Sequence, residues 1–300
     1  MNHNQISGAR FLFVTILNII ITVVEFIGGA FAGSLSLVSD GFHNLGDSAS
    51  IVLSYYTHRI SGRPQTKRET FGFKRAQIIS AFVNSTFLMI ISAILIVEAV
   101  GKLFRPEHIN GKLMFLVAIV GTVANLLSAI ILNHGSKHNL NLRATYLHLL
   151  SDTLSSFGII VGGVLIQLYG WFIVDPLVTI GVATYIMSET WPVIKKTIVI
   201  LMQGSPKIDS AAIQHDLLKL PEVTGVHHVH IWLIDEHSII FSAHINMRDM
   251  KISEAERTYH PIYKLLHDKY HIDHVTLQAE VKRGRNEHFY NYNNGFGHDV

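Results

Sequence analysis

Six stretches of this 300-residue chain are each long and apolar enough to cross a bilayer, and they leave room for few other architectures. A hydrocarbon core of about 30 Å takes roughly 20 apolar residues in helical form. The stretches run approximately 11–33, 36–58, 77–101, 112–134, 145–168 and 172–191. Backbone in lipid must satisfy its own hydrogen bonds, so the stretches predict an all-α six-helix transmembrane bundle. The first exceeds the about 7–15-residue core of a signal peptide and is interrupted by Glu25, so it reads as a retained helix. Charged residues make up 15% of the chain, against about 25% in soluble domains. The deficit is local: residues 1–203 hold 9 Asp/Glu, while the much shorter 204–300 hold 13.

Three regions follow: a transmembrane domain over 1–203, a small cytoplasmic α+β domain over 204–282, and a flexible tail over 283–300. After Gly204-Ser205-Pro206, residues 208–218 have helical apolar spacing. Residues 223–234 and 238–247 alternate as a hairpin around Asp235-Glu236-His237, and 274–281 alternate again. Residues 253–269 predict a helix opened by a capping box of Ser253 and Glu256. Orientation comes from the short loops. Arg59, Arg63, Lys67, Arg68, Lys74, Arg75, Lys137, Arg143, Lys195 and Lys196 lie on one side, against Lys102, Arg105 and Lys112 on the other. Both termini are therefore expected in the cytoplasm.

An ionisable side chain near the bilayer centre costs on the order of 3 kcal/mol, so such residues mark function by default. Span 2 holds His43 and Asp47, and span 5 holds His148 and Asp152, the same HxxxD in each. Spacing of four puts both side chains on one helical face, one turn apart. Two such faces opposed would present two imidazoles and two carboxylates to one point, a tetrahedral zinc-type donor set whose carboxylates neutralise a divalent cation. With 19 His and 11 Asp in 300 positions, about 0.7 such pairs arise by chance, so location carries the argument. Only His43 and His148 lie well inside the spans, and each has its Asp. The bland alternative, a pair of interhelical polar clamps worth about 0.6 kcal/mol each, explains neither the repetition nor the matched chemistry.

Other polar groups in the spans read as structural. Asp40 suits a cap or a cavity lining. Glu25, Asn18, Asn84 and Asn125 suit helix–helix hydrogen bonds or a water-filled cavity. Asp175 opens span 6, and Gly28, Gly29 and Gly33 permit close helix contact. Twelve of the 19 His fall in residues 204–300. Alternation in GVHHVHIW places His227 on the face opposite His228 and His230. His227, His244 and Glu280 can form a second, cytoplasmic zinc site, against the plain alternative of ordinary exposed histidines. His260, His267, His271 and His274 read as exposed.

Several classes are excluded. With no Cys there is no disulfide framework, thiolate zinc site or cysteine nucleophile. A net charge of +2 gives no nucleic-acid footprint, and the apolar content excludes disorder. Nothing calls for an organic cofactor.

These residues resemble a family. Residues 34–47 (SLSLVSDGFHNLGD), 70–76 (TFGFKRA), 145–153 (TYLHLLSDT) and 226–232 (VHHVHIW) are similar to stretches of the cation diffusion facilitators, in their zinc-transporting branch of cobalt–zinc–cadmium resistance type. The resemblance implies a homodimer that exchanges Zn2+ for protons, with His43, Asp47, His148 and Asp152 as the transport site. It also implies a ferredoxin-like αββαβ cytoplasmic domain that binds metal near His227 and His244. Glu69 and Phe73 stand where some members carry the His of a further loop site, which predicts that site's absence. The span 4–5 loop is short, with only His134 and His138, which fits a bacterial cytoplasmic membrane. The expectation is a secondary transporter for Zn2+, with Cd2+ and Co2+ as further candidates, whose partners are protons and the lipid bilayer. Two rivals remain at this point. One is a membrane-anchored zinc sensor without transport. The other is an intramembrane metalloenzyme, which would need an open coordination position and a general base that this donor set lacks.

Overall fold

The structure is a computed structural model that describes the backbone of residues 3–136 and 140–290 and the side chains of 13–57, 59–131 and 152–290. Six long helices come first: α1 (His3–Ala32), α2 (Leu35–Ser61), α3 (Ala76–Phe104), α4 (Gly111–Ser136), α5 (Leu140–Tyr169) and α6 (Val174–Leu201). A smaller set follows: α7 (Ser210–Leu218), β1 (Val223–Leu233), β2 (Ile239–Met247), α8 (Ile252–Tyr270) and β3 (His274–Glu280). The chain divides into two compact units, one of residues 1–59 and 79–195, the other of 60–78 and 196–300. The segment joining α2 to α3 thus groups with the C-terminal elements.

Among the described residues, five helical stretches are long and apolar enough to cross a membrane: Phe13–Ala32, Ala76–Phe104, Gly111–Ile131, Asp152–Tyr169 and Val174–Leu201. The expected second span is a 27-residue helix, long enough but not apolar enough, because Asp40, His43, Asn44 and Asp47 dilute it. Within the first unit, Leu37, Ile109, Met114, Val117, Ile159 and Ile166 form one core shared by α2, α4, α5 and the loop before α4. Leu88 of α3 packs with Val182 and Ile186 of α6. Phe31, Val97, Phe104 and Leu154 are exposed, as suits helices surrounded by hydrocarbon. Gly28 fits the packing expectation: a Cβ there would lie 2.5 Å from Val117, so α1 and α4 approach through the missing side chain.

In the second unit, β1 pairs antiparallel with β2, and β2 pairs parallel with β3, in the order β1-β2-β3. Ile213 and Leu217 of α7 and Ala255, Ile262 and Leu266 of α8 share one core with Val226, Ile231, Phe241, Ala243 and Ile245. Asp209 caps α7, accepting from Ala212 N at 3.0 Å. The expected capping box at Ser253 does not form. Helix α8 begins one residue earlier, behind Lys251 in an extended conformation with no side-chain cap bond.

The expected flexible tail is tied down over 283–290. Asn246 Nδ2 donates to Arg283 O at 2.7 Å, Val229 N donates to Phe289 O at 3.0 Å, and Phe289 and Tyr290 pack on the core. Two aromatic residues give this segment apolar area to bury, which offsets the entropy of ordering it. Residues 291–300 lie outside the described residues.

Candidate metal centres

The first cluster is built on the polar helix α2 and its neighbour α5. His43 Nε2 lies 3.0 Å from Asp152 Oδ1 and 3.7 Å from Asp47 Oδ2. The Asp47 distance is the one-turn spacing within α2, while the Asp152 distance joins two helices. His43 and Asp152 are buried at 5% and 2% exposure, and Asp47 is half-buried. Single donor atoms of His43, Asp47 and Asp152 lie within 4.8 Å of one another, close enough to ligate one ion. His148 lies four residues before Asp152 on α5, and its side chain is outside the described residues. Three of the four expected intramembrane ligands therefore converge among the described side chains.

Hydrogen bonds hold α2 on several sides. Ser156 Oγ donates to Asp40 Oδ2 at 2.8 Å, repeating one turn along the α2–α5 link that His43 makes with Asp152. Asp40 thus lines the α2–α5 interface. Asn44 Nδ2 donates to Glu25 Oε2 at 2.7 Å, while Asn18 Nδ2 reaches Asn44 O at 3.4 Å and Ser48 Oγ at 3.2 Å. Asn84 donates to Ser50 at 2.6 Å. Asn125 is buried with neither side-chain polar atom hydrogen-bonded. At the start of α2, the fully buried Asp175 of α6 accepts from Ser34 Oγ at 2.6 Å, Leu35 N at 2.8 Å, and Ser36 N and Oγ at 3.2 and 2.6 Å. A carboxylate from another helix thus caps the positive end of the ligand-bearing helix. Ser156 and Asn44 are site residues the sequence reading missed. Ser156 was findable, since it stands four residues after Asp152.

The second cluster depends on sheet register. His227 on β1 is paired with His244 on β2, and Asn246 with Glu280 on β3. Glu280 Oε2 lies 3.1 Å from His227 Nε2, and Glu280 Oε1 lies 3.1 Å from His244 Nδ1. Gln278 Nε2 also donates to Glu280 Oε1, at 2.8 Å. Glu280 Oε2 and His227 Nδ1 are buried without an aligned hydrogen bond, so two imidazoles converge on a carboxylate whose valences are not all used by the protein. That donor set fits Zn2+ or a similar borderline cation. Burial holds His244 below the ordinary histidine range. The Glu280 carboxylate opposes the shift, and the neighbouring imidazoles of His228 and His227 add to it, which keeps His244 neutral and able to ligate.

The expected alternation of faces fails at His228. From His227↔His244 to His230↔Ser242, β1 advances three residues while β2 advances two, so one residue is extra. His228 takes the left-handed conformation at φ 50. Its ring then lies 4.7 Å from His244, which is itself 5.3 Å from His227, so His227 and His228 flank one partner. His260, His267, His271 and His274 are exposed, as expected. In the α2–α3 loop, Glu69 accepts from Thr66 Oγ1, and no metal-ligating group forms there among the described residues.

Buried carboxylates and imidazole between long helices, joined to a small mixed domain carrying a second such cluster, are the arrangement expected of a membrane cation transporter rather than an enzyme. Comparison with known proteins agrees. The model of the cation efflux transmembrane domain matches residues 11–202, and that of the cation efflux protein cytoplasmic domain matches 205–282. The chain is 34% identical over 263 residues to the zinc transporter ZitB of Escherichia coli K12, covering 87% of this chain and 83% of the relative. It is 36% identical over 291 residues to the cadmium, cobalt and zinc/H(+)-K(+) antiporter of Bacillus subtilis, covering 94% and 93%. It is 31% identical over 260 residues to the metal cation efflux system protein CzcD of Cupriavidus metallidurans, covering 86% and 82%. The protein belongs to the cation diffusion facilitator family, in its zinc and CzcD-like branch, and is an integral membrane protein.

Proposed function

We propose that the protein exports Zn2+, and with it Cd2+ or Co2+, from the cytoplasm in exchange for protons. The observation that carries this reading is the buried convergence of His43, Asp47 and Asp152 from two helices of the apolar unit. The cargo ion is held by these three and His148 near the middle of six spans, α2 being the polar one. The site opens alternately to the two sides of the membrane. Two carboxylates balance the charge of a divalent cation, so the loaded site is far cheaper in lipid than its separate charges. Imidazole titrates near pH 6.5, so protons from the outer side compete with the ion for the same atoms, which couples the two fluxes. Two imidazoles favour Zn2+, Cd2+ and Co2+ over Mg2+ and Mn2+.

His227, His244 and Glu280 hold a resident cation in a cytoplasmic domain of ferredoxin-like αββαβ order. That domain supports a homodimer, in a bacterial cytoplasmic membrane with both termini inside. The name of the Bacillus relative, a cadmium, cobalt and zinc/H(+)-K(+) antiporter, supports proton exchange and adds K+ as a second counter-ion to test.

The deciding experiment is Zn2+ uptake into proteoliposomes under an imposed pH gradient, with wild type beside Asp152→Ala. Gradient-driven uptake that disappears in the variant supports the reading. Zinc bound by both proteins with flux in neither would make the protein a membrane-anchored sensor working through the C-terminal cluster.

A further inference from the structure

Residues 281–290 do more than follow β3; they cross the second cluster. The bulge in β1 is where they attach: the Val229 amide there bonds to Phe289 O at 3.0 Å. The other anchor is the Asn246 side chain on Arg283 O at 2.7 Å. The segment also turns on itself, with Glu287 N bonded to Gly284 O at 3.0 Å and Arg285 Nε to Val281 O at 2.9 Å. Gly284 sits at φ 67 directly against the His227 ring, and a Cβ added there would overlap Nε2. The segment therefore needs a glycine at the point where it passes the ligand nitrogen.

The donor spacing is compatible with an ion beneath the docked segment. Two ligands bonded to a tetrahedral ion at about 2.0–2.1 Å stand ~3.3 Å apart. Both His–Glu280 distances are 3.1 Å with the segment in place. The segment lies against the buried His227 ring and is fixed to the two strands that carry the histidines.

We propose that residues 281–290 form a latch that closes over a divalent cation held by His227, His244 and Glu280 and slows its release. The proposal rests on the reading of that cluster as a metal site. Because coupling is reciprocal, the ion must in turn hold the latch closed, so cation occupancy of the C-terminal domain is translated into docking of the chain that follows β3.

The test uses the full-length chain with Asp152→Ala, which disables the intramembrane site, loaded with Zn2+ and mixed with excess chelator. Gly284→Ala and Phe289→Ala should each release zinc about tenfold faster, the scale of one or two lost hydrogen bonds. Asn246→Ala should do the same and removes an anchor without touching the core aromatics, which keeps the test valid if Phe289→Ala folds poorly. Zinc should also slow amide exchange at 283–290, and His244→Ala should abolish both the slow release and that protection. Release at the parent rate in Gly284→Ala and Asn246→Ala, with His244→Ala still losing the slow phase, would overturn the latch and leave the metal site standing. If His244→Ala releases zinc like its parent, the cluster is not a metal site and the latch falls with it.

Discussion

The two clusters differ in how many carboxylates they bring together. In the membrane unit one described imidazole, His43, stands between two carboxylates; in the C-terminal unit one carboxylate, Glu280, stands between two imidazoles. The surrounding medium explains the difference. Among apolar helices nothing but the ligands can neutralise a divalent ion, and unbalanced charge there is costly. In a small domain outside the spans, backbone dipoles and the solvent that reaches half-buried His244 can absorb a residual charge, so a single carboxylate suffices. The clusters are also held differently: one by packing between helices, the other by strand register and a covering segment. On the proposed reading the first is a cargo site, which has to open, and the second a resident site, which has to keep its ion.

The largest expected effect tests that division of labour. Asp47→Ala or Asp152→Ala should lower transport at least a hundredfold, as expected when a metal ligand is lost outright rather than a supporting contact. Glu280→Gln should leave flux measurable. Proteoliposome uptake checks both, and equal loss in the two sets would collapse the distinction between cargo and resident sites. Next in size, His43→Asp converts the membrane cluster toward an all-oxygen set. Its preference for Zn2+ over Mn2+ should fall by about tenfold in competition uptake, whereas His244→Ala should leave that preference unchanged.

A third prediction concerns what holds each cluster. Asp175→Asn removes the charge that accepts four hydrogen bonds at the start of α2, at a cost of about 3 kcal/mol. Asp209→Ala at the exposed start of α7 should cost only about 1 kcal/mol. Denaturation of the detergent-solubilised protein compares them, and equal losses would mean that the buried cap is no stronger than the exposed one. The smallest effect lies at Asp216 of α7. Hydrogen bonds from Lys269, Tyr270 and Lys219 hold its carboxyl well below the usual range. A lowered folded-state pKa stabilises above the ordinary aspartate value of about 3.9 and is lost as pH falls through the lowered one. Asp216→Asn should therefore weaken the C-terminal unit at neutral pH, and the difference from wild type should shrink below about pH 4. A mutational difference that is constant with pH would show that the ion pairs carry no stability.

Legibility differed between the two clusters for the same reason that their architectures differ. The HxxxD pair declares itself because residues four apart share a helical face whatever else the helix touches, and apolar flanks make the polar residues conspicuous. In the C-terminal unit the period of two was a weaker guide. One extra residue at His228 shifts every side chain beyond it, and no composition signal announces a bulge. The segment 283–290 looked featureless because its order comes from partners distant in sequence, Asn246 and Val229, rather than from any periodicity of its own.

The amino-acid sequence alone determined the long apolar helices, the small mixed domain after residue 203 and the placement of imidazole and carboxylate on matching faces. These follow from local rules of period and polarity that hold before any tertiary contact forms. Only the tertiary structure decided that Asp152 meets His43, that Asp175 caps α2, that His228 leaves its expected face and that Gly284 lies on His227. Each of those joins residues whose separation along the chain carries no information about their distance in space, and packing alone sets which of them come together.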